Sequence, residues 1–278
     1  MNLIAIDIGN TKIKVAFYLN DDEKLIKKVD GNAGDVESQL ADILTECWDQ
    51  VPLVKSATEP VKECVLVAGS VKPEWTGLVR DVVKEELGQK LLVIGQDVPL
   101  PMETAVDDAL HVGTDRLCSA AAAYAVVEGA VVVADFGTAV TIDLVDEDGV
   151  FVGGTIAPGL DLSLAAMNAG TARLPKVDMQ KPKEVYGVNT EEAMRAGVYW
   201  SAVGLLETIC RKYAEQIGHW PQVILTGGAA KVIKDDCEFV DSWVSDLALR
   251  GIIIAYKKYI YEQADIAERS EKDSKKKK

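Results

Sequence analysis

The feature that most constrains the fold is a short segment that occurs twice, once at the start of the chain and once near its middle. Each copy is an apolar run that reaches Asp-x-Gly and then resumes apolar alternation; the copies are Ile4–Val15 and Val132–Asp143. This pattern predicts a β-strand, a tight turn and a second β-strand. We therefore expect two similar halves, each opening with such a hairpin, and a ligand that lies between them.

The two turns carry groups suited to phosphate and cation binding. A glycine there, Gly9 or Gly137, lets the backbone approach a ligand closely, so that neighbouring N–H groups can point at phosphate oxygens. Asp7 and Asp135 would repel a phosphate, but each can bind a cation that bridges to it. One isolated Asp-x-Gly is more often a plain hairpin turn, whereas two copies at equivalent places favour a ligand site.

Composition excludes several classes of protein. The net charge of −14 argues against a partner that is a nucleic acid or an anionic membrane. The five cysteines are odd in number and lack a C-x-x-C pair, which is typical of reduced, mostly buried thiols. With two histidines and no Rossmann, P-loop or G-x-S-x-G motif, a multi-histidine metal site and those enzyme classes are excluded. No leader or membrane-spanning run is found, so we expect a cytoplasmic protein.

The order of predicted elements indicates a mixed α/β protein. Beyond the two hairpins, the patterns predict strands near residues 25–29, 64–68, 91–94, 151–156 and 223–226, and helices near residues 40–47, 73–87, 114–127, 162–169, 190–217 and 246–263. A loop at Gln96–Leu110 is expected to cover a pocket. Asn189 has the form of a helix cap, and Gly227-Gly228 after a strand suits an anion or a nucleotide base.

Eight motifs together resemble the type III pantothenate kinase family and follow the family's order along nearly the whole chain. They are Asp7-Ile-Gly-Asn-Thr, Gly113-Thr-Asp-Arg, Asp135-Phe-Gly-Thr-Ala-Val-Thr-Ile-Asp, Gly153-Gly-Thr-Ile-Ala-Pro-Gly, Thr171-Ala-Arg-Leu-Pro, Gly187-Val-Asn-Thr, Thr226-Gly-Gly and Asp246-Leu-Ala-Leu-Arg-Gly. The resemblance implies the fold of actin, heat-shock chaperones and sugar kinases: two ribonuclease-H-like α/β halves, with mixed sheets flanked by helices and a nucleotide cleft between them.

The resemblance also implies a domain organisation. We expect an N-terminal ribonuclease-H-like domain at residues 1–112 and a C-terminal one at residues 113–263. Residues 264–278 are charged, lack apolar periodicity and end in four lysines, so a disordered tail is predicted there.

The implied activity is ATP-dependent phosphorylation of pantothenate to 4'-phosphopantothenate, the first step of coenzyme A biosynthesis, by a homodimer. Asp115 would be the proton acceptor, and Asp135 would bind a monovalent cation, K⁺ or NH₄⁺, in addition to Mg²⁺. The implied ATP contacts are Asp7, Ile8, Gly9, Asn10, Thr11, Lys12, Ile13, Lys14 and Thr138. The implied pantothenate contacts are Gly113, Thr114, Asp115, Arg116 and Thr190. Phosphoryl transfer requires mainly positioning and charge neutralisation, which these groups can supply.

The segment before Gly113 departs from the family pattern. Family members usually carry a Tyr and a Pro there, whereas Ala105–Leu110 has neither and places Asp107 and Asp108 near the expected site of a carboxylate substrate. The departure concerns the acceptor and not the nucleotide. A kinase for a different small hydroxyl substrate therefore remains an alternative.

A non-catalytic relative, such as a transcriptional accessory factor, is the other alternative. The retention of Asp7, Asp115, Asp135 and Thr138 argues against it.

Overall fold

A computed structural model describes residues 1–55 and 59–276, with side chains described as far as Arg269. The strands are β1 (Leu3–Ile8), β2 (Lys12–Leu19), β3 (Asp22–Asp30), β4 (Leu53–Val54), β5 (Val61–Lys62), β6 (Val65–Ser70), β7 (Leu91–Val93), β8 (Val131–Phe136), β9 (Ala139–Val145), β10 (Phe151–Pro158), β11 (Gln222–Thr226) and β12 (Ser242–Trp243). The α-helices are α1 (Val36–Asp49), α2 (Pro73–Leu87), α3 (Thr114–Val127), α4 (Leu160–Ala169), α5 (Thr190–Ile217), α6 (Ala230–Ile233) and α7 (Leu247–Lys276).

Two five-stranded sheets repeat one topology. The first has the order β3-β2-β1-β6-β7 and the second the order β10-β9-β8-β11-β12. In each sheet the opening hairpin and the third strand pair antiparallel, and the remaining two strands join in parallel. The hairpins β1–β2 and β8–β9, which carry the repeated Asp-x-Gly segment, occupy the same place in both sheets. The predicted α/β fold with two similar halves is confirmed.

The chain forms two compact units. The first contains residues 1–101, 110–121 and 248 onward, and the second contains residues 102–109 and 122–247. Each unit contains one of the five-stranded sheets. The division at residue 112 proposed from the sequence stays a prediction.

In the first unit, the central strand β1 is buried on both faces. Its side chains alternate between the two faces, as the strand period requires. Ile4, Ile6 and Ile8 belong to the apolar cluster formed with α1 and α2. Leu3 and Ala5 belong to a cluster on the other side, which includes residues of α3 and α7. A nearly continuous apolar run is needed for a strand in this position.

The second unit uses its central strand in a similar way. Val132, Ala134 and Phe136 of β8 lie in one apolar cluster with Tyr199 and Leu206 of the long helix α5. Tyr199 and Leu206 therefore anchor α5 in the core of the second unit.

Helix α7 differs most from the sequence prediction. In place of the disorder expected from Ala264, the helix continues to Lys276. The segment is rich in Ala, Glu, Lys and Arg, which favour helix, and a helix that is already nucleated gains one hydrogen bond for each residue added. In the part of the chain that the structure describes, no helix has the length and apolarity needed to cross a membrane.

Candidate active site

The β1–β2 turn places a buried carboxylate beside a lysine. Asp7, only 6% exposed, stands opposite Lys14 in the antiparallel register, and the Lys14 ammonium lies 3.2 Å from its carboxylate. The Gly9 N–H donates to the Lys12 carbonyl at 3.0 Å and closes the turn. A side chain at Gly9 would bring its Cβ to 3.2 Å from that carbonyl oxygen. The turn is thus compact, with the side chains of Asn10 and Lys12 exposed.

The end of β6 joins this turn to the start of α3. Ser70 pairs with Ile8 in the parallel register, and the Val71 N–H donates to the Ile8 carbonyl at 3.1 Å. The Ser70 carbonyl accepts a hydrogen bond from Thr114 Oγ1 at 2.8 Å. Thr114 therefore holds the first turn of α3 against the strand next to Asp7.

Asp115 is positioned by the residues on either side of it. Its Oδ1 accepts a hydrogen bond from the Arg116 N–H at 2.8 Å. A Cβ on Gly113 would lie 2.5 Å from that oxygen and 3.3 Å from Val71 Cγ1, so a side chain at Gly113 would displace the carboxylate or the valine. A glycine is needed at this position for Asp115 to keep its place.

A buried thiol shows that the two carboxylates of the first unit share one neighbourhood. Burial raises the pKa of Cys118 well above its usual value, and the charges of Asp7 and Asp115 raise it further. Both carboxylates must be close enough to Cys118 to disfavour a second negative charge there. The first unit thus brings Asp7, Thr114 and Asp115 into one neighbourhood.

In the second unit, two glycines enclose the Asp135 turn. Asp135 pairs with Thr226 of β11, and a Cβ on the following Gly227 would overlap the Asp135 carboxylate and lie 2.6 Å from the Phe136 backbone. Gly227 also has φ +93°, a conformation that favours glycine. The Gly159 N–H donates to the Thr138 carbonyl at 3.1 Å. Asp135 and Thr138 thus sit in a turn whose neighbours leave no room for added side chains.

Thr190 is the exposed first residue of α5. Two hydrogen bonds form the helix cap beside it. Asn189 Oδ1 accepts from the Glu192 N–H at 3.0 Å, and the Glu192 carboxylate accepts from the Val188 N–H at 3.1 Å. This arrangement is a variant of the capping box. The sequence predicts the cap correctly, and the cap fixes the backbone that carries Thr190.

The segment before Gly113 that differs from the family pattern begins with backbone hydrogen bonds to the second unit. The Phe151 N–H donates to the Glu103 carbonyl, and the Ala105 N–H donates to the Phe151 carbonyl, each at 2.9 Å. Asp107 and Asp108 follow directly on this segment, which therefore runs beside the start of β10.

The carboxylates fit a cation that is shared with phosphates better than a metal held by protein alone. Within residues 1–55 and 59–276, no group of three or more His, Cys, Asp or Glu side chains could hold a metal ion. Mg²⁺ commonly takes one or two carboxylates and completes its shell with water and substrate phosphates. Asp135, which the resemblance implies as the ligand of a monovalent cation, adjoins the bare backbone of Gly227. Asp7 already has Lys14 as its counter-charge.

Sequence reasoning did not include Ser70 among the site residues, and it considered Gly227 only as part of a segment suited to an anion or a nucleotide base. Their positions in the fold could have indicated them. Strands β6 and β11 hold the same place in the two sheets, and the apolar run of each strand ends at or next to a glycine. Their contacts with Thr114 and Asp135 join segments far apart in the chain, so no local pattern reveals them.

Comparisons with known proteins agree on one family. The profile described as type III pantothenate kinase matches residues 3–212. A type III pantothenate kinase of Dehalococcoides mccartyi is 32% identical over 255 residues, covering 92% of this chain and 97% of the relative. One of Ruegeria pomeroyi is 36% identical over 256 residues, covering 92% and 96%.

Solved structures of low sequence identity show the same fold. A Campylobacter jejuni protein, described as a Baf family transcriptional activator, superposes with TM-score 0.55 at 18% identity and covers 94% of this chain and 99% of its own. The activator of 2-hydroxyisocaproyl-CoA dehydratase from Clostridium difficile, solved with bound ADPNP, gives TM-score 0.50 at 14% identity, covering 95% and 98%.

Proposed function

This chain belongs to the type III pantothenate kinase family, and we propose that it carries out the family reaction with Asp115 as the proton acceptor. It is an ATP-dependent kinase that phosphorylates pantothenate to 4'-phosphopantothenate, the first step of coenzyme A biosynthesis. The single observation that carries this assignment is the family match over residues 3–212, which includes Asp7, Asp115 and Asp135.

The ATP phosphates are assigned to the segment from Asp7 to Lys14, with Thr138 as a further ATP contact. Support comes from the compact Gly9 turn and from the Lys14 ammonium, which is held at the turn by Asp7. Exposed Lys12 adds a second cation at the same turn. Fixed positive charges and backbone donors offset the charge of a triphosphate with little reorganisation.

The acceptor is assigned to Gly113–Arg116 and Thr190. Asp115 would orient the primary hydroxyl of pantothenate and accept its proton late in the transfer. The Arg116 N–H and the start of α3 stabilise the charged carboxylate, which makes it a weak base. A weak base is sufficient because the transition state is loose and the hydroxyl proton leaves late.

Cations complete the proposed site. Mg²⁺ would neutralise charge on the transferring phosphoryl group, and a monovalent cation, K⁺ or NH₄⁺, is assigned to Asp135. We further assign the enzyme to the cytoplasm and to a homodimer. Light scattering that gave the 30.0 kDa mass of one chain would contradict the dimer.

A coupled assay of ADP release tests the activity. Pantothenate should support turnover, and K⁺ or NH₄⁺ should increase it. Other small hydroxyl acceptors, run in parallel, test the alternative of a kinase with a different substrate. Turnover with one of those and none with pantothenate, with or without the cations, would overturn the acceptor assignment.

Asp115→Asn tests the catalytic role. We expect turnover to fall by roughly a hundredfold or more, since a positioned base contributes on that scale, while ATP affinity measured by calorimetry stays within about twofold. Asp161→Asn is the matched control, because Asp161 is also an acid in the first turn of a helix. Equal activity of the Asp115→Asn and Asp161→Asn variants would remove Asp115 from its role.

A further inference from the structure

Residues 227–236, here called the α6 segment, lead from the end of β11 through α6 to a short 3₁₀ helix at Lys234–Asp236. A tyrosine of the long helix α5 holds the far end of this segment. The Tyr199 side chain is fully buried, and its hydroxyl donates a hydrogen bond to the Asp236 carboxylate. The same hydroxyl lies 3.3 Å from the Val232 carbonyl of α6. One phenolic oxygen therefore contacts both α6 and the 3₁₀ helix.

A lysine from the loop between α4 and α5 also binds the Asp236 carboxylate. The Lys181 ammonium lies 2.7 Å from Asp236 Oδ2. The hydrogen bonds from Lys181 and, to a lesser extent, from Tyr199 lower the pKa of Asp236, so its carboxylate is charged at neutral pH. A charged acceptor forms a stronger hydrogen bond than a neutral one. Asp236 thus joins α5, the loop before α5 and the α6 segment at one point.

The near end of the α6 segment packs against the β8–β9 hairpin, whose turn contains Thr138. The Ala229 N–H donates to the Phe136 carbonyl at 2.9 Å. Gly227 lies so close to the hairpin that a Cβ there would overlap the Asp135 carboxylate. Direct contacts therefore lead from the tyrosine of α5, through the α6 segment, to the turn assigned to ATP. All of these residues belong to the second unit.

The α6 segment needs such an anchor because it is short. Helix α6 has only four residues, and a helix of that length is not stable without tertiary contacts. Ala230 and Ile233 are fully buried in the core of the second unit. Apolar burial is non-directional, so it holds the segment on the core without fixing its exact position. The hydrogen bonds at Asp236 have a defined geometry and can fix that position.

We propose that Asp236, bonded to Tyr199 and Lys181, is a positioning residue for ATP that fixes the α6 segment against the β8–β9 hairpin. The inference rests on the proposed function, because it takes the β8–β9 turn to contact ATP through Thr138. Asp236 acts through the backbone of the segment and not by contact with the nucleotide. A displacement of about 1 Å in a supporting segment is enough to weaken a site of this kind.

Tyr199→Phe tests the proposal with a small change, because it removes one hydroxyl and keeps the buried ring. The KM for ATP should rise roughly fivefold or more, the scale of one lost hydrogen bond, and the KM for pantothenate should change less than about twofold. Calorimetric titration with ADPNP, a non-hydrolysable ATP analogue, should show the same loss of affinity without turnover. Lys212→Met is the control, because Lys212 forms an exposed ion pair with Glu215 on the same helix, at 2.6 Å. Both KM values should be unchanged in that variant.

Two substitutions of Asp236 separate positioning from stability. Asp236→Ala removes both bonds and should weaken ADPNP binding at least as much as Tyr199→Phe. Asp236→Asn still accepts from the Tyr199 hydroxyl, so it should restore most of the affinity.

A lower unfolding temperature of Asp236→Ala, with ADPNP affinity equal to that of the wild type, would overturn the proposal. An equal rise in the KM for pantothenate would overturn it as well. If the unmodified protein binds ADPNP but does not phosphorylate pantothenate, the proposed function is contradicted, whereas the calorimetric comparison of the variants still decides the role of Asp236.

Discussion

At the scale of single residues, the site depends on glycines, which have no side chain, as much as on the side chains that are present. Gly113 and Gly227 each adjoin a carboxylate, and a side chain at either position would displace that carboxylate or its neighbour. The motifs Gly-x-Asp-Arg and Thr-Gly-Gly therefore have a steric reason that does not depend on any ligand. The sequence shows the glycines, but it does not show which carboxylate each of them adjoins.

Gly227→Ala should destabilise the second unit. Residue 227 would have to keep φ +93° with a Cβ that overlaps Asp135 and lies 2.6 Å from the Phe136 backbone. Strain and overlap of this kind cost about 1–3 kcal/mol, which urea unfolding would detect. Gly228→Ala is the matched control, since a Cβ there meets nothing within 4 Å. Similar unfolding midpoints for the two variants would contradict the steric account.

At the scale of elements, local sequence signals predict the limits of a helix when the residues at its ends set those limits. Helix α2 is found at the predicted residues Pro73–Leu87, where Pro at the start and Gly88 after the end fix its limits. Strands β4 and β12, of two residues each, were not predicted because they have no room for a periodic pattern. The packing of the Trp75 ring over Gly31 also escaped prediction, because it joins distant segments.

Asn189→Ala should weaken the start of α5. The substitution removes the acceptor for the Glu192 N–H and leaves one of the first amides of the helix without its partner. The expected loss is about 1 kcal/mol in the free energy of unfolding. Asn189→Asp keeps the acceptor and adds a favourable charge, so it should retain full stability. The cap would be irrelevant to stability if the alanine and aspartate variants unfolded at the same urea concentration.

Because Asn189 directly precedes Thr190, the same variant reports on the acceptor site. Fraying of the first turn should raise the KM for pantothenate and leave the KM for ATP unchanged. The aspartate variant again serves as the control.

At the scale of the whole molecule, duplication was the property that the sequence showed best. Two Asp-x-Gly segments predicted two halves, and two sheets of one topology are found. Residues 110–121 and helix α7 from Ala248 onward pack within the first unit, although both are far along the chain from its N-terminal sheet. Packing between segments more than a hundred residues apart decides this, and single-sequence patterns do not record it.

The cysteines offer a test of the packing of the whole chain. All five are free, four of them are buried, and Cys64 is partly buried. Burial raises the pKa of Cys47, Cys64 and Cys210 to about 12, and that of Cys237 to about 11. Since only the thiolate attacks a disulfide reagent, and a pKa near 12 leaves on the order of one thiolate in 10⁴ at pH 8, the native protein should react slowly with DTNB. Raising the pH should increase the rate, because every one of these shifts is upward.

Unfolding the chain in urea provides the control for that experiment. Ordinary thiol pKa values and full exposure should then give rapid reaction of five thiols per chain. In the native protein Cys64 should react first, because it is the most accessible of the five, and Cys64→Ser should remove that phase. Rapid native reaction of two or more thiols would show that at least one of the cores is open to solvent. A count below five in urea would show that some thiols are oxidised and contradict the assignment of a reduced protein.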